Sequence, residues 1–243
     1  MSYLINISSD DRSNGATTDD FEVNFSPSLK VPGNWEMALA NLSMWYSWYN
    51  ISADFNNQTF RYFNSAVWKD IIITPGLYSI PDLNTFIQAS MLANGDATPT
   101  YHISLIPDFN TFKLKITVDS GFQVDLTVGK LYELLGFTPI IVSTTQEGIN
   151  NVNITNGIDK VHIHCDPVIG SYSRGATSDV IFSFSADIAP SSLIQKSPVQ
   201  LIYLPINRSG YFDRMRIRVT DQQDKRLNLN GETVTMTLVL RKM

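Results

Sequence analysis

Apolar and polar residues alternate along much of this chain. Phe21, Val23 and Phe25 are separated by Glu22 and Asn24, and Leu114, Ile116 and Val118 by Lys115 and Thr117. Phe122, Val124 and Leu126 alternate with Gln123, Asp125 and Thr127. Val161, Ile163 and Cys165 alternate with His162 and His164; Met215, Ile217 and Val219 with Arg214, Arg216 and Arg218. Val234, Met236, Leu238 and Leu240 continue the pattern near the C-terminus. Side chains two apart share a face of a strand, so each run predicts a strand with one apolar and one wet or interfacial face. Turn signals separate the runs: Ser13-Asn14-Gly15, Pro32-Gly33-Asn34, Pro107 to Asn110, Asp119-Ser120-Gly121 and Asn230-Gly231. Two of them bracket a three-strand meander from Tyr101 to Leu126. Short strands at regular spacing predict a sandwich, jelly roll or barrel.

Two segments break the alternation and predict helices. Leu83, Phe86, Ile87 and Met91 fall at helical spacing between Pro81 and Ala93; Ser79 is placed to cap and Gly95 follows. A shorter helix spans Gly129 to Leu135, with Leu131, Leu134 and Leu135 on one face and Gly136 at its end. Residues 1–20 end in a polar stretch and are expected to form a flexible arm, dispensable for folding. Residues 21–243 are expected to be one domain, in which 71–137 is either an elaborated connection or an inserted lobe. No linker composition brackets that stretch.

Composition narrows the class. Of 243 residues, 43% are hydrophobic and 17% charged, which argues against disorder. The net charge of −5 lacks the basic footprint of a free-standing nucleic-acid binder. The single cysteine, Cys165, excludes a disulfide framework and a cysteine-based zinc finger. It alternates onto the apolar side of its strand, where a cysteine acts as a small hydrophobe. The opening MSYLINISSDD has no basic or apolar region of a signal peptide, and no apolar run is long enough to span a bilayer. Seven Asn-x-Ser/Thr triplets, Asn50 and Asn57 among them, read as composition rather than as glycan sites.

Candidate chemistry is sparse. His162 and His164 share a strand face and form a workable metal pair, but a site needs further ligands, and His102 and Asp166 are the only evident additions. The pair therefore reads as two polar positions on a wet face, and neither a metal nor another cofactor is expected. GSYSRG at Gly170 to Gly175 misses the spacing of a nucleophile elbow, and no phosphate-binding glycine loop is present. The paired acids Asp10-Asp11 and Asp19-Asp20 lie in the expected arm, a poor place to hold an acid and a base in register. No catalytic residues are expected, and the protein reads as a non-enzyme.

Two clusters suggest contacts instead. All four tryptophans lie between Trp35 and Trp68, among several tyrosines and phenylalanines. Core packing is the first reading, a subunit interface the second and a ligand platform the third. Residues 208–243 hold eight Lys/Arg against four Asp/Glu, leaving −9 on the rest of the chain. Arg214, Arg216 and Arg218 line one strand face and repel one another unless acids or phosphates lie opposite. Acids of the same subunit or of a neighbour are the first candidates, encapsidated nucleic acid the second, since three arginines give a small counter-ion effect. Arg214, Arg216, Arg218, Trp45, Trp48 and Trp68 are the candidate subunit-interface or partner-contact residues.

The ordered set of segments resembles a known family. It comprises TPGLYSIPDLN (Thr74 to Asn84), DFNTFK (Asp108 to Lys113), GFQVDL (Gly121 to Leu126), LLGF (Leu134 to Phe137), VHIHCDPVIGSY (Val161 to Tyr172), PVQLIYLP (Pro198 to Pro205) and TDQQDKRLNLNGETVTMTLVLR (Thr220 to Arg241). In that order, and with the opening SSDDRSNGATTDDFEVNF, the chain resembles the minor capsid (penton) proteins of Maverick/Polinton-type elements, including adintoviruses and polinton-like viruses. It is more distantly similar to virophage pentons. The likeness runs from about Ile7 to Arg241 and is weakest from Met44 to Trp68. It implies an all-β fold: a single jelly-roll β-sandwich with two short helices in its connections. It also implies a viral structural protein of the virion, a homopentamer at each vertex of an icosahedral double-stranded DNA capsid. The partners implied are its own copies and a double jelly-roll major capsid protein; DNA or a host receptor would be further ones. It would be made inside the host cell without a signal peptide. The alternatives are a jelly-roll binding module, lectin-like or trimeric ligand-like, recognising a sugar or protein, and a cupin-like metalloenzyme, which lacks its cluster of ligands here.

Overall fold

The computed structural model describes residues 2–13, 15–31, 33–96, 100–155, 157–189, 191–207 and 210–243. Asn14 and Pro32 of two expected turns, and Arg208 of the basic segment, lie outside the described residues. In chain order the structure runs β1 (Ser2–Ser8), β2 (Asp20–Val31), β3 (Trp35–Trp45), β4 (Thr59–Asn64), β5 (Trp68–Ile72), α1 (Ile80–Ala93), β6 (Ile103–Asp108), β7 (Lys113–Val118), β8 (Phe122–Asp125) and α2 (Leu131–Leu135). It continues with β9 (Ile141–Val142), β10 (Gln146–Glu147), β11 (Val161–Cys165), β12 (Ser171–Ser173), β13 (Ala176–Ser178), β14 (Val180–Phe184), β15 (Leu193–Lys196), β16 (Leu204–Pro205), β17 (Gly210–Asp221) and β18 (Val234–Lys242). No helix among the described residues is long and apolar enough to cross a membrane.

These elements fall into two compact units, one made of Met1–Trp48 and Ile158–Met243 and the other of Tyr49–Gly157. The first is a sandwich of two antiparallel sheets, ordered β1-β18-β3-β15 and β14-β11-β17-β2, with β16 also pairing β3. Apart from β16, eight strands carry the sandwich. Numbered along the chain, they pair 1-8-3-6 in one sheet and 2-7-4-5 in the other. That nested order is a jelly roll.

The alternation sets the inner faces. Met215, Ile217 and Val219 of β17 and Val161, Ile163 and Cys165 of β11 are buried, as are Met37, Leu39, Leu42 and Met44 of β3. Cys165 Sγ lies 3.7 Å from Met37 Sδ, so the two inner faces meet across the sandwich. Each such side chain contributes about 1.5–3 kcal/mol by leaving water.

The expected flexible arm is instead structural. Ser2–Ser8 pairs with β18 without a break, from Ser2↔Arg241 to Ser8↔Thr235. Ile5 and Ile7 are buried in the core while Leu4 is 67% exposed. The polar stretch after it is anchored too: Ser9 is fully buried and its Oγ accepts from Val234 N at 3.0 Å. Polarity here satisfies backbone groups of the neighbouring strand and does not signal mobility.

The second unit occupies the connection between β3 and β11, a longer stretch than the expected 71–137. Two sheets, β5-β4-β8-β9 and β10-β7-β6, share a core with both helices. α1 starts at a capping box: Ser79 Oγ accepts from Asp82 N at 3.2 Å, and the Asp82 carboxylate accepts from Ser79 N at 3.3 Å. Leu83, Ile87 and Met91 then fall on its buried face. α2 stops at Gly136, whose φ of +76° is left-handed and whose missing Cβ would meet Asn150 O at 2.5 Å.

One buried side chain ties together the two ends of this unit. Asn50 Nδ2 donates to Tyr78 O at 2.8 Å and to Ile154 O at 2.9 Å, and its Oδ1 accepts from Tyr78 N at 2.9 Å. Asn57 Nδ2 donates to Asn50 O at 2.8 Å. Asn50 and Asn57 are both buried, so these two triplets hold structural asparagines.

The pairing of β1 predicts a contrast within one strand. Ile7→Ala is expected to destabilise by about 2–5 kcal/mol and Leu4→Ala by less than about 0.5 kcal/mol. Urea denaturation of the two variants checks this; equal small effects would restore the mobile-arm reading.

Candidate functional site

The outer face of β17 gathers most of the charge that the sequence singled out. Arg214, Arg216 and Arg218 lie opposite Asn24, Glu22 and Asp20 in register with β2. Their ion pairs are staggered one step along the strand. Arg214 reaches Glu22 at 3.7 Å, and Arg216 makes a two-pronged pair with Asp20 at 2.7 and 2.7 Å. Arg218 turns to the other side and grips Asp179 at 2.9 and 3.1 Å. Arg226 adds pairs to Asp19 at 2.8 Å and Asp20 at 3.5 Å. The acids that relieve the arginine stack thus come from the same chain. Hydrogen bonds from Arg216 hold Asp20 below the usual carboxylate range, against the opposing effect of burial.

Beside this ladder, β11 places a histidine pair. A bulge between Ile163 and His164 interrupts its register with β14. His164 is only 3% exposed despite facing outward. Its Nδ1 lies 2.6 Å from Asp179 Oδ1 and its Nε2 2.9 Å from Thr220 Oγ1, with Asp224 Oδ1 at 3.7 Å. Burial opposes ionisation of Asp179, but the hydrogen bonds from His164 and Arg218 prevail and lower its pKa to about 2. The carboxylate of Asp179 fixes the ring through Nδ1, and Nε2 faces Thr220 and Asp224.

His162, two residues earlier, is half-buried. Its Nδ1 is enclosed and has no hydrogen-bond partner among the described residues. Such an atom costs on the order of 1–3 kcal/mol. Burial first, then the neighbouring His164, holds the His162 ring below the ordinary histidine range. Ring nitrogens of both histidines and a carboxylate oxygen of Asp224 all lie within 4.8 Å of one another. His164, Asp179, Arg218 and Asp224 line one side of an open cleft of about 610 Å³, with Asp166 and Ile169 also on its wall.

The Asp179–His164–Thr220 line has the form of a catalytic relay, but Thr220 is fully buried and its hydroxyl also lies 3.1 Å from Asp221 O as a donor. A sealed hydroxyl meets no substrate carbonyl. Asp166 accepts from Arg216 N at 3.0 Å, and His102 stacks on Phe122 at 4.2 Å in the other unit. Neither joins the histidine pair. Asp224 does so instead, because the turn after β17 folds back: Asp221 N donates to Lys225 O at 2.8 Å. No strand periodicity marks a ligand delivered by a turn.

The tryptophans divide. Trp48 is 3% exposed and packs on Tyr46 at 4.3 Å between ring centroids, so it is core and not a partner contact. Trp45, at the end of β3, is 42% exposed, and Trp68 of β5 is 41% exposed. Sequence reading passed over Phe109 and Phe112 of the β6–β7 hairpin, which are 79% and 69% exposed. They line an apolar cleft of about 280 Å³ within the second unit. Their place in DFNTF, at a turn rather than in a periodic run, was the available signal.

Solved structures share this architecture from end to end. The crystal structure of the mavirus penton protein superimposes with a TM-score of 0.52 and 9% identity over 100% of both chains. The chain shares the fold of that protein. A chain of the Sputnik virophage, solved by cryo-EM, gives a TM-score of 0.52 and 10% identity over 99% of this chain and 98% of its own. Neither a protein-family model nor a curated protein sequence matches. At this identity the fold is shared as a path of the chain; the outer-face residues are read from this structure alone.

The ladder yields a pH-dependent expectation. Asp20 is depressed when folded, so its contribution is full above its unfolded value near pH 4 and is lost as pH falls through the lower folded value. Asp20→Asn is expected to cost on the order of 1 kcal/mol at pH 7, small because Arg216 is half exposed, and less at pH 2. Denaturant unfolding at the two pH values tests this; an equal cost at both would remove the ion pair as its cause.

Proposed function

We propose that this protein is the vertex capsomer, or penton, of an icosahedral double-stranded DNA virus or virus-like element. The observation that carries the reading is the end-to-end match to the mavirus penton protein, which takes in both compact units. Five copies close a ring at each five-fold vertex, beside a double jelly-roll major capsid protein, and the protein resides in the virion. A closed ring needs a heterologous interface, one flank of the subunit fitting the opposite flank of the next. The work of such a protein is geometric and asks for no catalytic group.

Trp45 and Trp68 are the proposed partner contacts, since exposed aromatic side chains on strands supply large, rigid contact area. Arg216 and Arg218 serve the fold first, because both are committed to carboxylates. Arginines already neutralised release few counter-ions, so encapsidated DNA is a lesser partner than protein.

Native mass of the purified protein, alone and with its major capsid protein, tests the reading. The subunit is 27.3 kDa, and a ring of five weighs about 137 kDa. A pentamer, or a monomer that becomes five-fold only in shells, is expected. A stable trimer, or a monomer that never enters shells, would turn the reading towards a jelly-roll ligand or lectin.

A further inference from the structure

We infer that His162, His164 and Asp224 form a binding site for a divalent transition metal ion of the zinc class, which pins the turn after β17 onto β11. The inference stands on four observations independent of the capsid reading.

First, three ligand atoms of the right kinds converge. Two imidazole nitrogens and one carboxylate oxygen lie within 4.8 Å of one another. Ligands of a tetrahedral zinc ion sit about 2.0–2.1 Å from the metal and hence about 3.4 Å apart. Closing the remaining gap needs a shift of an ångström or so. Asp224 Oδ1 is already 3.7 Å from His164 Nε2, and its side chain is 43% exposed on a turn.

Second, the His162 Nδ1 is enclosed and unpartnered. The strand thus holds an aromatic nitrogen out of water beside a second imidazole.

Third, His164 already has the outer support that metal-bound histidines use. Asp179 accepts from Nδ1 at 2.6 Å and is itself held by Arg218, which fixes the ring and directs Nε2 towards Asp224. Thr220 now occupies Nε2 at 2.9 Å, but its hydroxyl has a second acceptor in Asp221 O at 3.1 Å. A metal can therefore take the lone pair without orphaning the threonine.

Fourth, the site has access and charge. His164 and Asp224 open onto the cleft of about 610 Å³, which leaves room for solvent as the fourth ligand. The carboxylates of Asp179 and Asp224 lie against His164, with Arg218 on Asp179 and Lys160 and Asp221 among the charges that act on His162. Two nitrogens and one oxygen suit zinc, cobalt or nickel and do not suit calcium or magnesium.

The test uses full-length protein stripped with a chelator and titrated with zinc chloride by calorimetry, with cobalt(II) as a spectroscopic substitute. One ion per chain, a melting temperature that rises with zinc, and the intense visible bands of four-coordinate cobalt are expected. Calcium chloride should do nothing. Asp224→Asn is expected to weaken zinc at least 10-fold and His162→Gln at least 100-fold, and both should leave the metal-free melting temperature within a degree or two. His102→Gln, in the other unit, is the control and should bind as wild type. Substoichiometric binding, the pale bands of six-coordinate cobalt, or wild-type affinity in both ligand variants would overturn the assignment. Loss of binding in His102→Gln would overturn it equally.

Discussion

The sandwich depends on one pairing above all: β18, the last strand, lies between β1, the first, and β3. Its pairing with β1 joins residues more than two hundred positions apart, as in Ile5↔Leu238. Every other pairing of the jelly roll nests inside that one. β17 pairs with β2 over a similar sequence distance, whereas β14 pairs with β11 only about twenty residues away. A central strand must present both edges to partners, and so tolerates few interruptions. β18 has a single bulge against β3, between Thr237 and Leu238, and none against β1. Its inward residues are Val234, Met236, Leu238 and Leu240, all buried. The long alternation near the C-terminus thus marks the most constrained strand.

The second sheet shows how a charged outer face coexists with an apolar inner one. Three arginines two residues apart on one strand would strain it if left alone. Here each finds a carboxylate from a neighbouring element, and the stagger of the pairs ties β2, β17 and the turn before β14 together. Exposed pairs of this kind add modest stability, yet they discriminate strongly against slipped registers. A shift of one residue along β2 would place Asp20 and Glu22 on the apolar face. The ladder is thus a register lock more than a source of binding energy.

Period-two alternation was enough to locate β2, β7, β11, β17 and β18, and capping signals located both helices, because those features act over a few residues. The expectation for residues 1–20 failed for a physical reason. Ser8, Ser9 and Asp10 look like solvent-loving residues of an arm, but Ser9 is buried with its hydroxyl on a distant backbone amide. A polar residue that serves a distant backbone group carries no local mark. The histidine pair was legible as a pair, whereas its neighbours Asp179, Thr220 and Asp224 were not, since three other elements deliver them. Trp48 and Trp45 are three residues apart, and only tertiary packing tells the buried one from the exposed one.

The Asn50 stitch changes how the chain can be assembled in time. From near the start of the second unit it reaches the backbone of Tyr78, in the unit's interior, and of Ile154, near its end. Once that unit has folded, the roughly 110 residues between β3 and β11 act as a connection of only a few residues. Loop-closure entropy grows with the logarithm of length, so the shortening spares the sandwich about 2–3 kcal/mol of ordering cost. A folded lobe thus shortens the tether that closure of the sandwich must span, and Asn50 helps to set its effective length.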